Sequence, residues 1–343
     1  MTDVTTTTTT RPSEAGSGRP GRRRLALSSL TAAVATTAMA FGALAAPAGA
    51  APARTGSAPS AATITAHGHS FRTLDDAADP TFNQLLGIND HGVIVGYFGS
   101  GAPGHPNKGY RLGRPYGQGQ YRTENFPGST QTQVVGINDD GTTVGFWVDA
   151  VGNNFGFVER HGQFQAVQNP HTPPATSATP TVNQLLGINA HGIAVGFYVD
   201  AAGNSHGYTY DTHTGRFHNV RVPGATSVTA TGINDENHIT GFATINGATD
   251  GFVVSHHHAY PIVIRQSSNT QVLGINDHDE IVGSYVDPAG NTHGFAKREH
   301  HQATTIDAPN STMMTVINGL NDRGTLVGFY LDPAGNTDGL VVR

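Results

Sequence analysis

One short phrase recurs six times and governs what this chain can fold into. GIND or a close variant begins at Gly87, Gly136, Gly187, Gly232, Gly274 and Gly319, at intervals of 49, 51, 45, 42 and 45 residues. A second phrase follows about six residues later, as VGYF, VGFW, VGFY, TGFA, VGSY and VGFY. A third, VDPAGNTHGF at 286–295, returns at 148–157, 199–208 and 331–340, with a worn copy, TINGATDGF, in the fourth unit. Self-similarity at this period marks an array of one supersecondary unit, whose neighbours supply the burial that a single copy cannot.

Each unit parses into four strands. Strand a runs through QLLGIN, strand b through GIAVGFYV, strand c through HGFVxR and strand d through segments such as RFHNVRV. These runs are rich in Val, Ile, Phe and Tyr and are separated by Gly, Asn, Asp and Pro, the pattern of hairpins in series. No helical period occurs after the leader. Strand b is apolar on both faces, as in Ile193-Ala194-Val195-Gly196-Phe197-Tyr198, so these sheets are covered on both sides.

Stacked four-stranded units of about 45 residues predict an all-β, six-bladed β-propeller of antiparallel blades over 62–343. The ends agree with closure. The last unit stops after strand c at Gly339–Arg343, and SFRTLDD at Ser70–Asp76 has the character of a strand d without a blade. A β-solenoid or other repeat β architecture explains the repeat equally well, but leaves these two deficits unmatched.

The turns read as turns. Asp287-Pro288-Ala289-Gly290 fits a type I turn, and Gly290 and Asn291 tolerate positive φ. A calcium loop needs six to eight oxygens, and this stretch supplies one carboxylate. The position of His293 is Phe155, His206, Asp250 and Asp338 elsewhere, so no ligand is held there in every unit. Two positions never vary. One is the Asn of GIN: Asn89, Asn138, Asn189, Asn234, Asn276 and Asn321. The other is the Gly of VG: Gly96, Gly145, Gly196, Gly241, Gly283 and Gly328. The Asn is expected to tie down the a–b turn, and the Gly to permit close strand approach or a bulge.

Residues 1–50 read as a signal peptide, of twin-arginine or Sec type. Arg22-Arg23-Arg24 precede an Ala/Leu-rich run to Ala46, then small residues ending in Ala48-Gly49-Ala50. Residues 51–61 are a flexible start to the mature chain. The full chain carries 19 basic and 25 acidic residues, and the leader holds five and two of these, leaving 14 and 23, a net −9. Such a chain is a poor partner for nucleic acid, and no later segment is apolar enough to enter a membrane. With no cysteine there are no disulfides and no thiol chemistry. The expectation is a secreted protein.

Chemistry has few places to sit. By topology the a–b and c–d turns share one face, which gathers most of the eighteen histidines. The tract His256-His257-His258 is the local candidate for a divalent metal; otherwise no cofactor is indicated. The opposite face carries the long insertions, GSGAPGHPNK and NPHTPPATSATPT, where binding loops usually lie. No G-x-S-x-G, H-E-x-x-H or phosphate loop is present, and no catalytic residue is assigned.

The composite GIND-x-G-x-[IV]-VG-[FY]-Y-x-D-x-x-G-x-x-HGF resembles the bacterial probable extracellular repeat family, the HAF-type repeats, over nearly the whole mature chain. That resemblance implies export and a propeller-like fold, and brings no catalytic residues. The triplet reads HGF or HGY here, and three units replace its His by Phe or Asp. The reading is a binding or structural module for extracellular glycan, cell wall or a protein partner. The competing class is a polysaccharide hydrolase or lyase.

Overall fold

The third unit shows how the phrases become structure. Asn183–Ile188 pairs antiparallel with Ile193–Val199, that strand with Ser205–Asp211, and that with Phe217–Asn219. Between the first two, Asn189–Gly192 reverses the chain, with Gly192 at φ +74°, where glycine alone sits without penalty. In the computed structural model, which describes residues 63–343 apart from His67 and Ser177, the first three units each form such a four-stranded antiparallel sheet, the fourth and fifth join in an eight-stranded one, and the last lies in a five-stranded one. Among the described residues there is no α-helix, only the short 3₁₀ turn Gln118–Gln120. The expected signal segment 1–50 and the stretch 51–61, expected to be flexible, lie outside the described residues.

Each strand a bulges opposite the VG glycine. Leu85 pairs with Gly96 and Gly87 with Val95, which leaves Leu86 over; Val135, Leu186, Thr231, Leu273 and Asn318 are left over likewise. A Cβ on Gly96, Gly145, Gly196, Gly241, Gly283 or Gly328 would stand 1.9 to 2.1 Å from a strand-a carbonyl oxygen. Only glycine fits at that spot.

The GIN asparagine works in two directions. Asn89 Oδ1 accepts the Val93 N–H at 2.9 Å, which ties its own turn, while Nδ2 donates to the carbonyl of Asn138 at 3.0 Å. Asn138 donates to Asn189, Asn189 to Asn234, Asn234 to Asn276 and Asn276 to Asn321. Asn321 then donates to the carbonyl of Asn89 at 3.0 Å, so the relay returns to its start. All six are buried. Strand c of one unit also bridges in parallel to the start of the next unit, at Asn154–Val182, Thr249–Asn269, Thr292–Met314 and Thr337–Phe82.

The two ends of the described chain meet. His69–Thr73 pairs antiparallel with Thr337–Val342, matching Phe71 with Val342 and Thr73 with Leu340, and so supplies the fourth strand of the last unit. Thr63–Ala66 then adds a fifth strand outside it, which no repeat phrase announces. Between the sheets lie Tyr97, Tyr110, Phe157, Phe197, Tyr208, Phe252 and Phe295, all fully buried. Burial of each such ring is worth roughly 1.5–3 kcal/mol. The double-sided cover expected from strand b is thus present, with Ala194, Val195 and Phe197 all buried.

Candidate functional site

The VDPAGNTHGF stretch is spent on its own geometry. Asp287 Oδ1 accepts the N–H groups of Ala289 and Asn291, both at 2.8 Å, and Asn291 Nδ2 donates to Oδ2 at 3.1 Å. Gly290 takes φ +89° and donates to the Asp287 carbonyl at 3.0 Å. The same bonds recur around Asp149, Asp200 and Asp332. In the fifth unit His293 braces the turn, with Nε2 3.2 Å from Asp287 Oδ2 and Nδ1 2.8 Å from Asp307 Oδ2.

That brace is sensitive to pH. Partial burial pushes the His293 pKa down, but the carboxylates of Asp307 and Asp287 outweigh it and raise it above 6.5. The hydrogen bonds from Asn291, with help from His293, hold Asp287 down at about 2. A raised imidazole stabilises fully below its unfolded pKa and loses that contribution as pH rises through its folded value. Hence His293→Gln should lower the melting temperature most near pH 5.5, by roughly a few degrees, with the charge-dependent loss fading towards about pH 9. A penalty that does not vary over that range would deny the ion pair any part in stability.

The first long insertion is tied down by its own bonds and by Asp79. Gly101 N–H donates to the His105 carbonyl at 2.8 Å, Asn107 Nδ2 to the Gly99 carbonyl at 2.6 Å, and His105 Nδ1 lies 2.7 Å from Asp79 Oδ2. The open clefts lie on the other face, among the a–b and c–d turns. The larger, about 390 Å³, lies between units one and two, and a second of about 330 Å³ between units two and three.

The larger cleft breaks the repeat from within. Its floor holds Arg111, Glu124 and Glu159, with Thr143 alongside. Glu124 donates its N–H to the Gly109 carbonyl, and the residues at the matching position are Leu74, Val167, Val220, Ile262 and Ile306. Thr143 stands where other units have Ile94, Ala194, Ile239, Ile281 and Leu326, and Glu159 where four of five have Leu112, Tyr210, Val254 and Val342. Arg111 donates to Glu124 and Glu159, and its Nη1 reaches the Gly141 carbonyl at 2.7 Å. The remaining carboxylate oxygens accept from the Thr143 hydroxyl and the Gly162 N–H. Both glutamates are buried and every one of their oxygens is engaged, which suits a rigid polar floor better than proton transfer. Arg122, Asp140 and His161 stand exposed at the rim, with Phe164 half-buried beside them.

The same face carries a row of turn carboxylates. Asp139, Asp235, Asp277, Asp322 and Asp90 each accept a backbone N–H from the preceding unit at 2.8–2.9 Å, and the row is interrupted only where the third unit has Ala190. Burial first, and then the neighbouring carboxylates, raise the pKa of Asp277. Of the tract singled out in the sequence, His256 and His257 form a tight turn at φ +50° and +65°, and His258 opens the next strand opposite Ser255. Only His256 meets another imidazole, with ring centroids 5.5 Å from His238. His238 itself lies 2.8 Å from Ser255 of its own unit and 2.7 Å from Asp279 of the next, contacts that no sequence motif signalled.

No protein-family model matches the chain, and no curated protein matches it. Solved structures with a similar chain course include TolB from Acinetobacter baumannii, at 10% identity and a TM-score of 0.49, covering 73% of this chain and 63% of that one. This chain thus spans less than two thirds of the TolB chain's length. AofleA from Arthrobotrys oligospora matches at 10% identity and a TM-score of 0.49, covering 80% and 86%. A fucose-specific lectin from Aleuria aurantia matches at 11% identity and a TM-score of 0.48, covering 75% and 89%. Identities of this size carry no site residue across.

Proposed function

We propose that the six units are the blades of one closed β-propeller, exported from its cell, which binds an extracellular glycan in the cleft between units one and two. The asparagine relay and the pairing of His69–Thr73 with the last unit support closure. The repeat phrases support membership among the HAF-type repeats, and the leader 1–50 supports export. One observation carries the binding reading: Arg111, Glu124, Thr143 and Glu159 replace a mostly apolar lining at the junction of units one and two, beneath a cleft of about 390 Å³. Charged groups fixed by one another, an exposed rim of Arg122, Asp140 and His161, and the ring of Phe164 match the hydroxyls and apolar faces of a sugar. Wall polymers that display such sugars fall within this class.

The test is thermal unfolding of the chain from Ala51 with soluble glycans. A ligand at a hundred times its dissociation constant adds about 2.7 kcal/mol. Asp140→Ala and His161→Ala, both at exposed positions, should remove the shift without changing the unliganded transition. A shift that survives both variants would move the site elsewhere, and no shift with any glycan would remove this class of ligand.

A further inference from the structure

The junction between units four and five departs from the repeat at neighbouring positions. Other a–b turns close with a glycine at positive φ, namely Gly92, Gly141, Gly192 and Gly324, whereas Asn237 and Asp279 take φ +61° and +56° here. Side-chain-bearing residues adopt that conformation at a cost, so their side chains merit an account. Asp279 Oδ1 accepts from Asn234 Nδ2 at 3.0 Å and lies 2.7 Å from Nδ1 of His238. His238 is buried, at a position occupied by Val93, Thr142, Ile193, Glu280 and Thr325 in the other units.

The carboxylate of Asp279 holds the proton of His238 on Nδ1 and leaves the lone pair of Nε2 for another partner. Nε2 lies 2.8 Å from Ser255 Oγ and 3.9 Å from Glu236 Oε2. Ser255 Oγ is also 2.8 Å from Nδ1 of His256. Two imidazole nitrogens, from an a–b turn and the facing c–d turn, thus flank the Ser255 hydroxyl, and the Glu236 carboxylate stands beside the first of them.

We propose that His238 Nε2, His256 Nδ1 and Glu236 Oε2 bind a divalent metal ion of the zinc class, with Asp279 positioning His238 from behind. Zinc binds nitrogen at about 2.0–2.1 Å and carboxylate oxygen at about 2.0–2.2 Å, so tetrahedral ligand atoms stand roughly 3.4 Å apart. The 3.9 Å between Nε2 and Oε2 is near that spacing, and Glu236 and His256 are exposed and have room to draw in. Rotation about χ1 of Ser255 takes its hydroxyl out of the ion's place. The fourth position stays open to water. A carboxylate behind a metal-binding imidazole is the usual way its tautomer is fixed.

Ser255, His238 and Asp279 also share the bond order of an acyl-transfer triad. The Ser255 hydroxyl is held by the second imidazole, however, and neither cleft includes it. The metal accounts for His256 and Glu236 as well.

The experiment is titration of the metal-free chain from Ala51 with Zn²⁺ by calorimetry and with Co²⁺ by visible absorption. One ion per chain is expected, with the absorption of tetrahedral Co²⁺. His256→Ala, at an exposed turn, should abolish both signals, and Asp279→Asn should weaken affinity about 10- to 100-fold. His257→Ala and His258→Ala should change neither. Unaltered binding in His256→Ala, or equal loss in the His257 and His258 variants, would overturn the assignment. So would labelling of Ser255 by a fluorophosphonate that His238→Ala prevents, which would make the serine a nucleophile.

Discussion

Gly283→Ala is expected to destabilise the protein by roughly 3–5 kcal/mol, which in a chain this size lowers the melting temperature by about 8–16 °C. The added Cβ would meet the Gln271 carbonyl oxygen at 1.9 Å and the Phe295 ring at 2.9 Å. Neither neighbour can yield. The Gln271 carbonyl belongs to the bulged strand a, and Phe295 is fully buried. Gly215→Ala is the control. Gly215 has φ +71° but open space around it, so alanine there should cost only about 1 kcal/mol. Denaturant unfolding of both variants decides the matter. A cost below about 1 kcal/mol for Gly283→Ala would mean that the paired strands slide readily and the bulge is not fixed.

Arg111→Met should cost about as much, for an electrostatic reason. It leaves the two buried glutamates Glu124 and Glu159 without their counter-ion, a change worth about 3–5 kcal/mol. Returning the whole junction to the apolar pattern of the other units gives the opposite result. Arg111→Val, Glu124→Ile, Thr143→Ile and Glu159→Leu together should leave stability unchanged or raise it by about 1–4 kcal/mol, because no charge need then be desolvated. The fourfold variant should also lose the glycan-induced shift. A charged cluster whose removal does not weaken the fold is retained for another purpose, and binding supplies one. If the fourfold variant is as unstable as Arg111→Met, the cluster is structural and the cleft has lost its support.

What could be read from the chain beforehand was whatever repeats within it. The strands, the a–b and b–c turns and the partnership of SFRTLDD with the unfinished last unit all follow from comparing copies. The demand for glycine at Gly96 and its equivalents followed too, although the clash with a specific carbonyl did not. The second half of the asparagine was hidden. A sequence shows Asn89 near its own turn, but its Nδ2 partner is 49 residues away, in the next unit. The cleft was hidden for a related reason. Glu124 looks like an ordinary loop-side acid until strand pairing aligns it with Leu74, Val167, Val220, Ile262 and Ile306. Asp279 in a glycine slot was visible as a departure, and its meeting with His238 across a unit boundary was not. Loop length drew attention to the b–c side, where the insertions lie. The two clefts described lie instead among the short a–b and c–d turns.

The strand His69–Thr73 pairs on one edge with its neighbour Thr63–Ala66 and on the other with Thr337–Val342, more than 260 residues later. During synthesis that second edge must therefore wait, uncovered, until Thr337–Val342 emerges. A product cut short anywhere upstream leaves an adhesive strand edge on view, the kind of surface that proteases and holding factors recognise. Emergence of Thr337–Val342 and concealment of that edge are one event, so the topology acts as its own proofreader.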